Sequence, residues 1–145
     1  SYDFLTGLPM RNLGERLTAE FMQTHDGCLV FLDMDNLKKI NDLYGHKAGD
    51  RALKLLGNLL SRYSDEGVAC RLGGDEFLLF LPESTHDSVT TQMQELFDQF
   101  RLAISKDVEI RSATLSAGIC MCTAGDNFEN CYQKADKALY YQTER

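Results

Sequence analysis

Residues 68–81 read Val68-Ala69-Cys70-Arg71-Leu72-Gly73-Gly74-Asp75-Glu76-Phe77-Leu78-Leu79-Phe80-Leu81. The apolar runs at 68–72 and 77–81 have the length and composition of short strands. Two glycines and two acidic residues separate these runs, which is typical of a tight turn. The stretch therefore predicts a β-hairpin, and Pro82 marks the end of its second strand.

Helical and strand patterns surround this hairpin. Continuous apolar runs predict buried strands at 28–32 and 113–121. Apolar residues three and four positions apart predict helices at 12–23, 37–44, 49–63, 84–104 and 127–142. This order of elements favours an α/β fold in the broad sense, and within it the α+β class. We expect a mixed sheet in β-α-β-β-α-β order with helices packed on it.

Composition and charge exclude several classes of protein. The 145 residues carry 15 Lys and Arg against 22 Asp and Glu, which gives a formal net charge of −7. Such an acidic chain is poorly suited to coating nucleic acid, because that binding needs dense cationic contacts with phosphate. No apolar run approaches the roughly 20 residues of a membrane helix, and we expect no signal peptide. We expect one cytoplasmic domain at 1–145, without nucleic-acid or membrane contact.

The five cysteines are too irregular to form a recognisable disulfide or metal framework. Their number is odd, none belongs to a Cys-x-x-Cys pair, and most have apolar neighbours. This pattern favours reduced core thiols over disulfides or zinc ligands.

Acidic residues cluster at two points of the predicted sheet. Asp33 and Asp35 follow the strand at 28–32, whereas Asp75 and Glu76 lie in the hairpin turn. We expect Asp33 and Asp35 to point to opposite sides, so that one faces a site and the other caps the next helix. If the strands are neighbours, Asp33 lies near the turn. Magnesium, which binds one or two carboxylates together with substrate phosphates, would offset their repulsion.

A third polar segment, at 41–50, combines Asn41, His46 and Asp50 with small residues. A carboxylate there can accept hydrogen bonds from the ring N–H and the amine of guanine. Each pattern also has a simpler interpretation when taken alone. The aspartate pair suits a helix cap, the turn suits a plain hairpin, and the segment 41–50 suits a polar turn with glycine caps.

Taken together, these motifs resemble the GGDEF domain family, the bacterial diguanylate cyclases. The signature is Arg71-Leu72-Gly73-Gly74-Asp75-Glu76-Phe77, and the resemblance extends over the whole chain. Further collinear motifs lie at 5–9, at 33–42 with 45–46 and 49–50, at 116–119 and at 135–140.

The resemblance implies a palm-like fold shared with class III nucleotidyl cyclases and many polymerases. It also implies that two GTP condense into cyclic di-GMP with loss of two pyrophosphates, with Mg²⁺ or Mn²⁺ as cofactor. Each domain holds one GTP, so catalysis needs a second copy of the domain as a homodimer. We expect the chain to be a piece excised from a longer sensor protein, without the upstream sensory domain that is usual in the family.

Position by position, the resemblance assigns a role to each site residue. Asp75 and Glu76 would be catalytic, with Asp75 deprotonating the attacking 3′-hydroxyl. The metal ligands would be Asp33, Met34 through its carbonyl, Asp75 and Glu76. Asn41 and Asp50 would bind guanine with His46 nearby, and Lys38 would meet the triphosphate. The full set of expected GTP-binding positions is Asn36, Leu37, Lys38, Asn41, His46, Asp50, Arg71, Gly73 and Gly74.

One departure from the family pattern concerns feedback by the product. Many members carry an Arg-x-x-Asp site that binds the product, but Ser64 and Gly67 stand at those positions. We therefore expect no ordinary inhibitory site. Arg62 and Asp65 form a similar string two residues too early, which leaves a shifted site as the alternative.

A second departure lies near the end of the chain. Gln142 and Thr143 stand where the family has an Ala-Lys pair whose lysine binds phosphate, and Arg145 would replace that lysine only in part. Loss of a charge-assisted phosphate contact costs about 1.5–3 kcal/mol, so weaker GTP binding is expected. This departure supports an alternative function, a weak or inactive GGDEF module that binds GTP and acts through partner domains.

Overall fold

The computed structural model describes the backbone of residues 1–144 and the side chains of residues 1–138. Among these residues, no helix combines the length and apolar character needed to cross a membrane. The strands are β1 (Gly27–Asp35), β2 (Val68–Gly73), β3 (Glu76–Pro82) and β4 (Thr114–Cys122). The helices are α1 (Arg11–Thr24), α2 (Leu37–Tyr44), α3 (His46–Leu60), α4 (His86–Ile104) and α5 (Phe128–Glu144), and a 3₁₀ turn (Ser61–Ser64) follows α3.

The four strands form one sheet in the order β2-β3-β1-β4. The predicted β-α-β-β-α-β order is confirmed, but the expectation of a mixed sheet is wrong. Each pair of neighbouring strands in this sheet is antiparallel. The reason is that β1 and β2 run in the same direction, and β3 inserts between them.

Helices cover both faces of the sheet. Val30 and Leu32 of β1 pack in the core beneath α3 and α4, whereas Leu29 and Phe31 pack on the opposite face with α1 and α5. A strand buried on both faces has no polar side, which explains why the sequence shows a continuous apolar run. The ends of the strands are thus the part of the sheet that is open to a ligand.

The predicted hairpin is confirmed. Arg71 pairs with Phe77 and Gly73 pairs with Glu76, with a register shift between Arg71 and Gly73. The bulge at Leu72 shortens the connection to two residues, Gly74 and Asp75. The turn therefore projects from the sheet at the same end as the last residues of β1.

Helix α3 begins at His46, three residues before its predicted start, and ends at Leu60. Gly45, with φ of +92°, already makes the break between α2 and α3. Gly49 instead lies buried within α3, where a Cβ atom would overlap Oδ1 of Asn41. Gly49 is therefore required for helix packing and does not mark the start of a helix.

All five cysteines are free and buried, which confirms the expectation of reduced thiols over disulfides. Burial raises the pKa of both Cys28 and Cys70 to about 12. Thiols with such pKa values stay protonated and unreactive near neutral pH.

Candidate active site

The end of β1 meets the hairpin turn. Asp33 lies opposite Glu76 on β3 and opposite Ser116 on β4. The backbone N–H of Met34 donates to the carbonyl oxygen of Asp75 at 3.0 Å, which fixes the turn against β1. The carboxylates of Asp33, Asp75 and Glu76 are therefore brought together at one end of the sheet.

The carboxylates in this cluster destabilise one another's charged forms. Burial, followed by the nearby charges of Asp75, Asp35 and Glu76, raises the pKa of Asp33 to about 7. The pKa of Glu76 is also raised, first by burial and then by the charge of Asp75, while Arg11 opposes the shift. Among the described residues, Oδ1 of Asp33 is buried without a hydrogen-bond partner. Such a group is stabilised by a nearby positive charge.

The donor atoms fit a hard cation such as Mg²⁺. The unpartnered Oδ1 of Asp33 and the carboxylates of the turn are oxygen ligands, which hard cations prefer. In the described part of the chain, however, only three cysteines form a group with all ligand atoms within 4.8 Å of one another. The carboxylates of Asp33, Asp75 and Glu76 therefore do not form a closed set of metal ligands in the described structure.

Asp35 has a different position from the one expected. Because β1 continues through Asp35, residues 33 and 35 lie on the same face of the strand instead of opposite faces. Oδ2 of Asp35 accepts hydrogen bonds from the hydroxyls of Ser116 at 2.7 Å and Thr114 at 3.2 Å. Helix α2 has no side-chain cap. Asp35 therefore binds β4, while its charge adds to that around Asp33.

Arg71 holds the turn in place. Its Nε and Nη2 atoms donate to the carbonyl oxygen of Gly74 at 3.1 and 2.7 Å, and its Nη1 atom contacts both carboxylate oxygens of Asp3 at 3.1 Å. The side chain of Asp3 also accepts hydrogen bonds from Thr6. Arg71, expected at the GTP site from the sequence, instead contacts the turn and Asp3, a residue that was not predicted to belong to the site. The only local signal for Asp3 is its spacing from Thr6, which suits an Asx turn.

The two turn glycines have backbone conformations that favour glycine. Gly73 has φ of +148° and Gly74 has φ of +49°. No atom lies within 4 Å of the Cβ position at either residue. The peptide groups of this turn are therefore exposed beside the carboxylates, where a ligand can approach the backbone.

A second polar region lies at the junction of α2 and α3. Oδ1 of Asn41 is buried against Gly49 and has no hydrogen-bond partner among the described residues. Asp50 and His46 are exposed on the first turns of α3. An unsatisfied amide beside an exposed carboxylate is a reasonable place for a hydrogen-bonding ligand.

The comparison with protein families agrees with this geometry. The family model described as "Diguanylate cyclase, GGDEF domain" matches residues 1–145. The chain belongs to the GGDEF domain family.

Individual relatives of this GGDEF domain differ in their names. Diguanylate cyclase DgcP of Pseudomonas aeruginosa is 38% identical over 149 residues, which cover 95% of this chain and 22% of DgcP. Cyclic di-GMP phosphodiesterase PdeR of Escherichia coli is 31% identical over 143 residues, covering 95% of this chain and 22% of PdeR. The chain thus spans about a fifth of the length of each of these two relatives.

Solved structures show the same fold. Diguanylate cyclase SiaD of Pseudomonas aeruginosa, solved with its activator SiaC, superposes with a TM-score of 0.85 at 32% identity. The match covers 99% of this chain and 58% of that one. GGDEF domains have the palm-like cyclase fold, so the predicted fold class is confirmed.

The remaining predicted GTP-binding residues of the GGDEF domain lie around the start of α2. Asn36 and Lys38 line a surface cleft of about 510 Å³. The amide of Asn36 donates to the carbonyl of Ser112 at 2.9 Å, and Lys38 pairs with Asp42 at 3.6 Å. Leu37, in contrast, is only 8% exposed and packs in the core. Its side chain therefore serves the fold, which leaves its backbone for any contact with GTP.

Ser64 and Gly67, at the expected product-binding positions, lack the charged side chains that bind the product in other family members. Ser64 donates its hydroxyl to the carbonyl of Ser61 at 2.6 Å. A Cβ atom at Gly67 would overlap the carbonyl oxygen of Phe80, so the backbone there leaves no room for a side chain. The absence of an ordinary inhibitory site stays a prediction.

A pocket lies beside Arg62 and Asp65, the pair that stands two residues before the usual product-binding positions. Arg62 and Asp65 both line a cavity of about 260 Å³. Arg62 is already engaged, because its Nη2 atom donates to Gln99 of α4 at 2.6 Å and its Nε atom donates to the carbonyl of Leu59 at 3.0 Å. A product that used Arg62 would have to displace this contact with α4.

The second departure from the family pattern, Gln142 and Thr143 in place of an Ala-Lys pair, lies near the end of the chain. The side chains of Gln142 and Thr143, and the whole of Arg145, lie outside the described residues. The weaker phosphate contact therefore stays a prediction.

Arg11 is a second residue near the site that was not predicted from the sequence. Its Nε atom donates to the carbonyl of Leu72 at 3.2 Å, and Nη1 pairs with Glu15 at 3.3 Å. Its interaction with Tyr132 of α5 raises the pKa of Arg11, and the positive charge of Arg11 in turn opposes the rise in the pKa of Glu76. Arg11 is 61 residues from Leu72 in sequence, and no local pattern indicates this contact.

Proposed function

We propose that this GGDEF domain is a diguanylate cyclase. It condenses two GTP into one cyclic di-GMP and two pyrophosphates, with Mg²⁺ or Mn²⁺ as cofactor. The observation that carries this proposal is the buried, unpartnered Oδ1 atom of Asp33 beside the acidic hairpin turn. The family match and the name of DgcP support it further.

The acidic cluster and the turn have complementary roles in this reaction. Asp33, Asp75 and Glu76 would hold the metal, together with the backbone carbonyl of Met34. A metal ion held by these residues would neutralise phosphate charge and make the attacking hydroxyl more acidic. Asp75 accepts the proton of the 3′-hydroxyl.

The turn supplies positioning for the same reaction. Gly73 and Gly74 let the triphosphate approach the backbone without interference from a Cβ atom. Arg71 preserves this conformation through its bonds to the Gly74 carbonyl and to Asp3. Phosphoryl transfer depends mainly on such positioning, combined with charge neutralisation.

Guanine binding falls to the junction of α2 and α3. Asn41 has an unsatisfied amide oxygen, and Asp50 is an exposed carboxylate that can accept from the ring N–H and the amine of guanine. His46 lies nearby, and Lys38 reaches toward the triphosphate once its ion pair with Asp42 opens.

Catalysis needs a second copy of the domain. One acidic cluster and one guanine site accommodate one GTP, whereas the reaction joins two. The 3′-hydroxyl of one nucleotide must therefore meet the α-phosphate of a nucleotide on a facing domain.

The free, buried thiols suit the reducing cytoplasm, where we place the reaction. An upstream sensory domain in the longer protein would control the pairing.

A second candidate function is a weak or inactive module that binds GTP and acts through partner domains. The name of PdeR favours it, because that relative is called a phosphodiesterase and also matches this chain. The predicted loss of a phosphate contact at Thr143 points the same way.

Product analysis distinguishes the two functions. The chain is fused to a dimeric coiled coil, incubated with GTP and Mg²⁺, and analysed by chromatography. Cyclic di-GMP is expected from the wild type and not from Asp75→Asn, whereas Asp126→Asn serves as a control away from the cluster. GTP binding without product would favour the second function, and the absence of both binding and product would contradict the two proposals together.

A further inference from the structure

Three of the five cysteines lie together on the face of the sheet that α5 covers. Cys120 and Cys122 are two residues apart on β4 and share one face, and Cys131 is on the first turns of α5. Their Sγ atoms all lie within 4.8 Å of one another. The three residues are 8%, 5% and 4% exposed, respectively. The three sulfur atoms therefore form a buried cluster between β4 and α5.

The spacing of the sulfurs fits a metal ion. Points no more than 4.8 Å apart share a centre within about 2.8 Å of each, and zinc–thiolate bonds are about 2.3 Å long. Small inward rotations of the side chains would therefore bring all three sulfurs to bonding distance. Among the described residues, no His, Asp or Glu joins this group. Within the part of the chain whose side chains are described, the group therefore offers three cysteine sulfur ligands.

The donor set selects the type of ion. Structural zinc sites almost always have four ligands, whereas soft thiolate donors also favour monovalent copper. Each thiol must lose its proton when it binds a metal ion, and soft sulfur donors favour a strongly thiophilic ion in that exchange. The positive charge of Lys134 near Cys120 offsets part of the resulting negative charge.

We propose that Cys120, Cys122 and Cys131 form a binding site for one copper(I) ion. The ion bonds to three thiolate sulfurs, whose protons pass to solvent, and no electron is transferred. Such an ion joins β4 to α5, the helix that carries Tyr132 next to Arg11. This proposal is independent of the cyclase reaction.

Competition for copper tests the site. The reduced chain is mixed without oxygen with copper(I) held by bathocuproine disulfonate, and loss of the coloured complex is followed. Transfer of one ion per chain is expected, together with a higher thermal midpoint, because the ion binds the folded state. X-ray absorption should show three sulfur neighbours around copper.

Two matched variants localise the binding. Cys131→Ala should abolish the transfer, whereas Cys70→Ala removes a buried thiol outside the cluster and should leave the transfer intact. No transfer to the wild type, transfer that survives Cys131→Ala, or equal loss in both variants would overturn the proposal. A bound zinc ion that excess copper(I) fails to displace would also overturn it.

A measurement on the wild type covers the case in which Cys131→Ala does not fold. The folded chain is treated with a small alkylating reagent with and without copper(I), and the labelled thiols are identified by mass spectrometry. Copper(I) should slow the labelling of Cys120, Cys122 and Cys131 more than that of Cys28 and Cys70. Equal slowing at all five cysteines, or no slowing, would contradict the site.

Discussion

The Asp33 carboxylate occupies a position in which its charged form is disfavoured. Burial and the neighbouring carboxylates raise its pKa to about 7, and its Oδ1 atom has no partner among the described residues. Groups held in this way are common at functional sites, where a ligand supplies the missing charge. The spacing in the sequence predicted that Asp33 would meet the turn, but it did not predict this protonation behaviour.

The raised pKa of Asp33 predicts how stability depends on pH in metal-free buffer. The folded chain retains the Asp33 proton up to about pH 7, whereas the unfolded chain loses it near its ordinary pKa of 3.8. The free energy of unfolding should therefore fall as the pH rises from about 4 to above 7. Asp33→Asn should weaken this fall and stabilise the protein at pH 8 by about 1–2 kcal/mol, since the group is partly solvated.

Urea unfolding at pH 5 and pH 8 with a chelator measures this effect. Asp98→Asn is a suitable control, because Asp98 lies exposed on α4 and pairs only with Arg101 at 3.2 Å. An identical pH dependence in the wild type and in Asp33→Asn would contradict the electrostatic account.

Asn41 provides a second prediction for a single residue. Its amide oxygen makes no hydrogen bond in the described structure, so Asn41→Ala should not destabilise the fold by loss of a bond there. If the amide binds guanine, losing one hydrogen bond of about 1.4 kcal/mol should raise the Kd for GTP by roughly tenfold. Calorimetry measures this Kd, with the exposed Asn58→Ala in α3 as control. Equal affinity in the two variants would argue against Asn41 as a guanine contact.

The hairpin turn is the element whose geometry the site requires most. Gly74, with φ of +49°, lies in the left-handed helical region, which other residues occupy at a cost of about 1–2 kcal/mol. Gly73, with φ of +148°, lies in a backbone region that residues with side chains adopt even less readily than the left-handed helical region. Gly73→Ala should therefore lower the free energy of unfolding by about 2–3 kcal/mol, and Gly74→Ala by about 1 kcal/mol.

Urea denaturation of the two alanine variants tests this order. Both sites are open, so steric overlap does not obscure the comparison. Equal effects, or a larger effect at Gly74, would mean that backbone strain in the turn does not follow these φ angles.

The sequence predicted most elements because their signals are local. Continuous apolar runs indicated the central strands, and the two glycines indicated the hairpin. The start of α3 was misplaced because Gly49, which looks like a helix boundary, in fact makes room for Asn41. The mixed sheet was wrong because no local pattern shows that β3 inserts between β1 and β2.

The contacts around the site were harder to predict because they join distant parts of the chain. Asp3 meets Arg71 across 68 residues, and Arg11 meets Leu72 across 61. Charge and spacing indicate that these residues are polar, but only the tertiary fold shows which groups they contact.

For the whole molecule, the net charge of −7 is partly explained by the site. Asp33, Asp35, Asp75 and Glu76 lie together at one end of the sheet, and each of the other three contributes to the raised pKa of Asp33. One such cluster serves one nucleotide, which leads to the expectation of a catalytic dimer.

Dimerisation predicts a dependence of activity on protein concentration. The specific activity of the chain should rise as its concentration increases, because only paired domains bring two GTP together. A coiled-coil fusion should remove most of this dependence by raising the effective concentration. The rate of cyclic di-GMP formation is measured over a hundredfold range of concentration. A constant specific activity for an unfused monomer, checked by sedimentation, would contradict the facing-domain arrangement.

The measurement that tests the central claim most directly is calorimetric binding of a non-hydrolysable GTP analogue, because binding does not depend on dimerisation. At pH 8, where Asp33 is ionised, one analogue should bind per chain with Mg²⁺ and bind at least tenfold more weakly in a chelator. Asp33→Asn should lose this dependence on Mg²⁺. Equal affinity with and without Mg²⁺ in the wild type, or an unchanged Mg²⁺ dependence in Asp33→Asn, would contradict a metal–nucleotide site built on Asp33 and the hairpin turn.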